Sequence, residues 1–315
     1  MKNKLIFEDN NLGTAGQIPD DFFTRLETEH LPKWEKSREA MDIFMLRASV
    51  YHQQLKDKPE EILRHMASVF AKHNIEIAIN DGGATWSHYL QGTNPIYEKS
   101  ISMITRLRGC GFNIKYIALQ SVLSKPVKEH HVPPNEIESY TMEMRISDVV
   151  AYNKQVRRVF PDLKIGIIDA LPTKNMDYIE PYKDLKYALE KIGCSLDFII
   201  LDFPFMDAIL KKNGFSFEKI VDVQHYVKGL DIEFGIICTD YAGKASAAGF
   251  QYVVLQGLNA FMAAGGEADY LMFSAWYTFP KDSIPEDVKP YPIEDPTMFS
   301  VFMEVNNLNY KPNGD

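Results

Sequence analysis

Asp81, Ser121, Asp169, Asp202 and Asp240 stand where apolar, strand-like runs give way to turns, in IEIAIND, KYIALQS, IGIIDALP, FIILDFPF and FGIICTD. Two carboxyl groups facing each other across a bond can divide the work of a nucleophile or base and of an acid. A crowd of carboxylates can instead hold Mg²⁺ or Mn²⁺ by its oxygens and, through the ion, a phosphate group. Each aspartate also has a plainer use, as an Asx-turn or helix N-cap that ties a loop. Several on one rim argue against that use for all of them, because unpaired carboxylates repel and raise one another's pKa.

Such a rim requires parallel strands. Each run is preceded by a segment of helical character, so the repeating unit is helix then strand, and all strands present their carboxyl ends on one side. Pro59-Glu60-Glu61 opens a helix with acidic residues in its first turn, and Ile62, His65, Met66, Val69 and Phe70 then share a face. Further helices are predicted over Asp20–Glu29, Tyr97–Leu107, about Asn135–Phe160, Tyr182–Ile192, Phe217–Lys228 and Ala245–Ala264. Strands are predicted at Asp42–Val50, Ile75–Asp81, Ile114–Gln120, around Ile165, Phe198 and Phe234, and at Ala268–Trp276. With Lys4–Phe7 taken as the first, they form an α/β fold, a single (β/α)8 barrel over residues 1–315. It has an irregular N-terminal segment to about residue 35 and a Pro-rich tail from about residue 278. The rival, a doubly wound open sheet, lacks the GxGxxG turn that would mark a dinucleotide site after the first strand.

Composition narrows the partners. The chain has 315 residues, 45% of them hydrophobic and 24% charged, the balance of an ordinary globular protein. Its formal charge of -9, with no basic cluster beyond Lys154, Arg157 and Arg158 on a helix face, speaks against nucleic acid. Cys110, Cys194 and Cys238 are odd in number and widely spaced, which indicates neither a disulfide framework nor a zinc knuckle and suits a reducing compartment. Leu5-Ile6-Phe7 is too short for a signal-peptide core, and Gln251, Gln256 and Asn259 interrupt the apolar Ala245–Ala264 segment, which reads as a helix packed on the sheet. The expectation is a cytoplasmic protein that acts on a small molecule or carbohydrate, without a cofactor unless the aspartates bind Mg²⁺ or Mn²⁺.

The last quarter of the chain carries a motif. Thr239-Asp240-Tyr241-Ala242-Gly243, a helix with Gln251 and Gln256, and then Phe273-Ser274-Ala275-Trp276-Tyr277 resemble the seventh and eighth βα units of retaining glycoside hydrolases of the large (β/α)8 clan. Ser283-Ile284-Pro285-Glu286 is similar to the tails of these enzymes. The resemblance implies a nucleophilic carboxylate at Asp240, where the family has Glu, and a sugar platform at Trp276. It departs at Leu119-Gln120-Ser121, where the family has Asn-Glu-Pro with the general acid, so the usual pair of glutamates is absent.

Three readings follow. In the first, Asp240 is nucleophile or base and Asp202 the acid, with Asp169 beside them and Glu129 a further candidate acid; such pairs stand about 5 to 5.5 Å apart for retention and about 6.5 to 9.5 Å for inversion. In the second, Asp81, Asp169, Asp202 and Asp240 hold a divalent metal in a lyase, isomerase or cyclase acting on a phosphorylated or diphosphate substrate. In the third, the barrel binds carbohydrate without turning it over. Trp86, Trp276, Tyr277 and Tyr241 would wall the site, and Asp81, Gln120, Arg47 and His88 would line it. Against these stand plainer roles: Arg47 as internal ionic glue, Trp86 closing the barrel top, His130-His131 as solvated loop residues, and Cys238 as a small buried hydrophobe.

Overall fold

The computed structural model describes residues 3–8, 34–82, 84, 96–124, 141–170, 179–289 and 291–309, and the helix expected over Asp20–Glu29 lies outside them. Eight parallel strands run in sequence order around a closed barrel: β1 (Lys4–Glu8), β2 (Ile43–Arg47), β3 (Glu76–Asp81), β4 (Ile114–Gln120), β5 (Lys164–Ala170), β6 (Phe198–Asp202), β7 (Glu233–Cys238) and β8 (Tyr270–Ser274). β8 closes the ring on β1 from Lys4↔Tyr270 to Glu8↔Ser274. Around it lie α1 (Glu35–Ala40), α2 (Glu60–Lys72), α3 (Ile96–Gly109), α4 (Met142–Val159), α5 (Ile179–Glu190), α6 (Phe217–Gly229), α7 (Ala247–Ala263) and α8 (Met298–Asn309). This is a (β/α)8 barrel. Among the described residues no helix is long and apolar enough to cross a membrane.

The strands read as near-continuous apolar runs because both their faces are buried. The pleat sorts the residues. Ile6, Ile43, Met45, Ala78, Ala118, Ile200, Ile237 and Met272 fill the lumen as one cluster, while the alternating Phe7, Phe44, Ile79, Leu119, Leu201, Ile236 and Phe273 join the core beneath the helices. Two glycines make room for large lumen side chains. A Cβ on Gly166 would stand 2.3 Å from the Phe198 carbonyl oxygen, and one on Gly235 2.9 Å from Tyr270 Cβ. Phe198 and Tyr270 thereby lie side by side, with ring centroids 5.6 Å apart.

The second strand stops earlier than its apolar run suggests. After Arg47 the chain turns at once into a helical turn, Ala48–Val50, and a π-turn, Tyr51–Leu55. Arg106 on α3 donates to the carbonyls that follow, at 3.2 Å to Leu55 and 2.6 Å to Lys58. Such cationic capping satisfies carbonyls that a helix end leaves unpaired.

The segment read as a Pro-rich tail contains α8, the last helix of the barrel wall. Phe299 stacks on Phe7 at 4.4 Å and on Trp34 at 5.5 Å, and Phe302 meets Phe7 edge-on at 5.4 Å. Each such ring taken from water contributes about 2 to 3 kcal/mol. Glu286 ties this segment to α1, accepting from Lys36 N (3.0 Å), Ser37 N (2.7 Å) and Ser37 Oγ (2.8 Å). A carboxylate at a helix N-terminus meets both unpaired N–H groups and the positive end of the helix dipole.

Candidate active site at the carboxyl rim of the barrel

The pleat that points Ile6, Met45, Ala78, Ala118, Ile200 and Met272 into the lumen also points in the residues two steps further on. These are Glu8 on β1, Arg47 on β2, Asn80 on β3, Gln120 on β4, Asp202 on β6 and Ser274 on β8. Trp276, just beyond β8, packs against the lumen cluster. Sequence reasoning named Arg47, Gln120, Asp202 and Trp276 but missed Glu8, Asn80 and Ser274.

Glu8 is the centre of this layer and is wholly inaccessible to solvent. Its Oε1 accepts from Asn80 Nδ2 at 2.6 Å and lies 3.3 Å from Arg47 Nε in an ion pair. Its Oε2 accepts from Ser274 Oγ at 2.8 Å and Trp276 Nε1 at 3.2 Å. Burial alone would raise the Glu8 carboxyl, but Arg47 and the three donors outweigh it and hold it below the usual glutamate range. Glu8 therefore carries a fixed negative charge that orients Arg47 and the Trp276 ring.

Asp202 stands in the opposite condition. Burial first, then the neighbouring negative groups Asp169 and Glu8, push its carboxyl up to about 7. Among the described residues it makes no hydrogen bond. A carboxyl that is protonated near neutrality and unoccupied on the lumen side can give a proton to a bound molecule. Tyr277 borders the same space: burial, then the charges of Asp202 and Asp240, raises its phenol, and Lys244 Nζ sits 5.0 Å above its ring.

Three other strand-end aspartates face away from the lumen. Asp81, one step past Asn80, is turned toward the helices, where Tyr152 OH on α4 donates to it at 2.7 Å and Ser100 Oγ on α3 also donates. It is therefore no part of the lumen wall. Asp169 is fully buried beside β4, with Oδ1 accepting from Ser124 N (3.1 Å), Ser124 Oγ and Ala170 N (3.1 Å). Its Oδ2 is buried without a partner among the described residues, and burial lifts the carboxyl to about 6 against those bonds. Asp240 caps the 3-10 turn Tyr241–Lys244: Oδ1 accepts from Ala242 N at 2.7 Å and Oδ2 from Met206 N at 2.8 Å. Burial raises its carboxyl, with those two bonds opposing, but both oxygens are committed to backbone.

Tyr241 follows Asp240 and donates to Asp207 Oδ1 at 2.9 Å, with burial and that bond pushing its phenol up to about 12. Burial pushes the Cys238 thiol up to about 12, which suits an inert thiol under the helices. Trp86, His88, Glu129, His130 and His131 lie outside the described residues. Among the described residues no three His, Cys, Asp or Glu side chains gather as a metal-holding group, so the four aspartates of the metal reading do not converge.

The missed residues carried a usable signal. Counting back by twos from a lumen residue places Glu8, not Phe7, and Asn80, not Asp81, on the inside. Preference for the stronger chemical group hid Asn80, and the shortness of β1 hid Glu8.

No protein-family model and no curated protein matches the sequence. Among solved structures the barrel is similar to the catalytic domain of a beta-amylase from Paenibacillus polymyxa, at TM-score 0.58 and 9% identity over 99% of each chain. It is similar to GH10 from Paenibacillus barcinonensis, at TM-score 0.53 and 10% identity over 99% of this chain and 97% of that one. It also matches the carboxyl transferase domain of Rhizobium etli pyruvate carboxylase, at TM-score 0.52 and 11% identity. All of this chain is covered there but only 45% of the other, so this chain spans less than half of that structure's length. These likenesses are of fold.

Proposed function

We propose that this barrel is a carbohydrate-active enzyme that cleaves a glycosidic bond, with Asp202 as general acid and base. The observation that carries this reading is the pair of opposed carboxyls at the lumen mouth, Glu8 held ionised and Asp202 held protonated to about pH 7. Environments that push two carboxyls apart divide them into an acid and a fixed charge. Trp276 beside the lumen cluster supports a sugar platform in it.

In this reading the sugar lies on Trp276, its hydroxyls meeting Gln120 and Arg47. Asp202 gives its proton to the glycosidic oxygen as the bond to the anomeric carbon breaks, and the bonding electrons leave with that oxygen. Positive charge develops on the sugar ring, and the fixed Glu8 carboxylate stabilises it through space. Water then adds to the anomeric carbon and returns a proton to the Asp202 carboxylate, which restores the acid. Addition from the face that the leaving group vacated predicts retention of configuration. Asp240 and Asp169 serve here by holding the loops after β7 and β4, which agrees with the backbone N–H groups that occupy them.

The test uses aryl glycosides whose phenol leaving groups differ in acidity. Asp202→Asn is expected to lose most turnover on glycosides with poor leaving groups and to keep far more on those with acidic phenols, which depart without a proton. Equal losses across the series would remove Asp202 from the acid role. Saturable sugar binding with no turnover by the parent protein would identify a binding barrel instead.

A further inference from the structure

The mouth of the barrel has bonding capacity that the residues around it do not use, and that capacity is cationic. Arg47 is gripped from one side only. Its Nε lies 3.3 Å from the buried Glu8 carboxylate, and its side chain is 23% exposed. Among the described residues neither Nη group donates a hydrogen bond, and only Nε counts among the buried donors without one, so the two Nη groups keep some exposure. The backbone sets where Arg47 starts from. It is the last residue of β2, its backbone is extended (φ -71°, ψ 136°), and the chain enters a helical turn at the next residue.

A second unmet group stands across the mouth. At the end of β7, between the strands that carry Asp202 and Ser274, the Thr239 hydroxyl is buried, 3% exposed, and has no hydrogen-bond partner among the described residues. Buried hydroxyls without partners are uncommon, because desolvation without a bond costs about 1 to 3 kcal/mol. Gln120 adds a partly exposed amide from β4. The mouth thus offers a planar two-pronged cation and an amide.

We propose that the substrate of this barrel is an acidic sugar, whose carboxylate or phosphate is held bidentately by the two Nη groups of Arg47. The inference rests on the carbohydrate reading above and adds the charge of the substrate. Guanidinium forks match carboxylate and phosphate oxygens in pairs, whereas sugar hydroxyls take single bonds from them. The ion pair with Glu8 engages Arg47 at Nε and leaves its two Nη groups for the anion.

The experiment is calorimetric titration of the full chain at low ionic strength with matched ligands: methyl glucoside, methyl glucuronoside and glucose 6-phosphate, then methyl galactoside and methyl galacturonoside. Acetate and inorganic phosphate are the sugar-free controls. At least one acidic sugar is expected to bind ten-fold or more tightly than its neutral counterpart, and which one separates carboxylate from phosphate. Arg47→Lys keeps the charge beside Glu8, and so the fold, but loses the fork; the acidic-to-neutral preference is expected to fall at least five-fold. Arg47→Gln is expected to abolish the preference, with its fold checked by its melting transition. Equal or better binding of the neutral sugars, an unchanged preference in Arg47→Lys, or no binding by any ligand would overturn the inference. Binding of acetate or phosphate with no gain from an attached sugar would keep the anion site and remove the carbohydrate reading on which substrate assignment rests.

Discussion

The barrel lumen has a polar layer at each end, and the two layers are built on different terms. At the amino end Lys4 pairs with Glu76 at 3.1 Å, Tyr116 OH donates to Glu76 at 2.9 Å, Lys164 pairs with Glu233 at 2.9 Å and Tyr270 OH donates to Glu233. Every one of these charges has an opposite charge beside it. At the carboxyl end the Glu8 cluster is saturated in the same way, yet Asp202, the Arg47 fork and the Thr239 hydroxyl around it have no partner among the described residues. Polar groups that only stabilise a barrel satisfy one another; those left unsatisfied are the ones available to a ligand.

The sharpest break of the comparison is at Asp202. Asp202→Asn is expected to lower kcat by about 10² to 10⁴ on glycosides with poor leaving groups, the range typical of a positioned acid. Stability should move the other way. Because the folded carboxyl titrates at about 7, above its ordinary value, the native state keeps a proton that the unfolded chain has already lost between about pH 4 and pH 7. Parent stability therefore falls as pH rises through that window. Asp202→Asn should be more stable than the parent at pH 8, by roughly 2 to 4 kcal/mol, since each pH unit between the unfolded and folded pKa values contributes about 1.4 kcal/mol, and equal to it near pH 4. Denaturant unfolding at the two pH values checks both halves.

At Glu8 the saturated half of the same layer is opened. Glu8→Gln removes the charge facing Arg47 and puts an amide donor where donors already point, so a loss of about 3 kcal/mol or more is expected in urea unfolding. Asp169 offers a smaller effect with a clear sign. Its negative charge helps to raise Asp202, so Asp169→Asn should let Asp202 ionise sooner. The alkaline limb of the pH–rate profile should then move down by roughly one pH unit. An upward shift would remove Asp169 from the electrostatics of the rim.

Much of this barrel could be read from the chain. Runs such as KYIALQ and FIILD have the length and apolarity of strands buried on both faces, and of the face read for α2 Met66 and Phe70 are buried and Ile62 and Val69 pack beside them, with Leu63 and Ala67 completing the buried stripe. The rim was legible as a location but only half legible in its members. Asp81 and Asp202 look alike in sequence, each closing an apolar strand; the pleat sends one beneath α3 and α4 and the other into the lumen. Glu8 was out of reach for another reason. Its partners Asn80 and Ser274 are 72 and 266 positions away, and only closure of β1 on β8 in one particular register brings them together. Local periodicity contains no information about that register.

The smallest expected effect is at the other end of the lumen, and it decides whether the comparison holds. Lys4→Met removes a cation that meets both Glu76 and Tyr116, and whose ammonium is held above its ordinary pKa by those two bonds against the opposing cost of burial. The side chains of the ion pair are 45% and 28% exposed, so water screens them and takes over much of what is lost. The methionine keeps the apolar stem, and Glu76 retains the Tyr116 hydroxyl. Stability is therefore expected to change by no more than about 1 kcal/mol, lost most clearly at low salt. Turnover should stay within two-fold of the parent, because among the described residues no bond connects this layer to Asp202 and the apolar middle of the lumen lies between them. A large drop in turnover with an intact melting transition would mean that the two ends communicate, and the division into a cancelled layer and an available one would have to be abandoned.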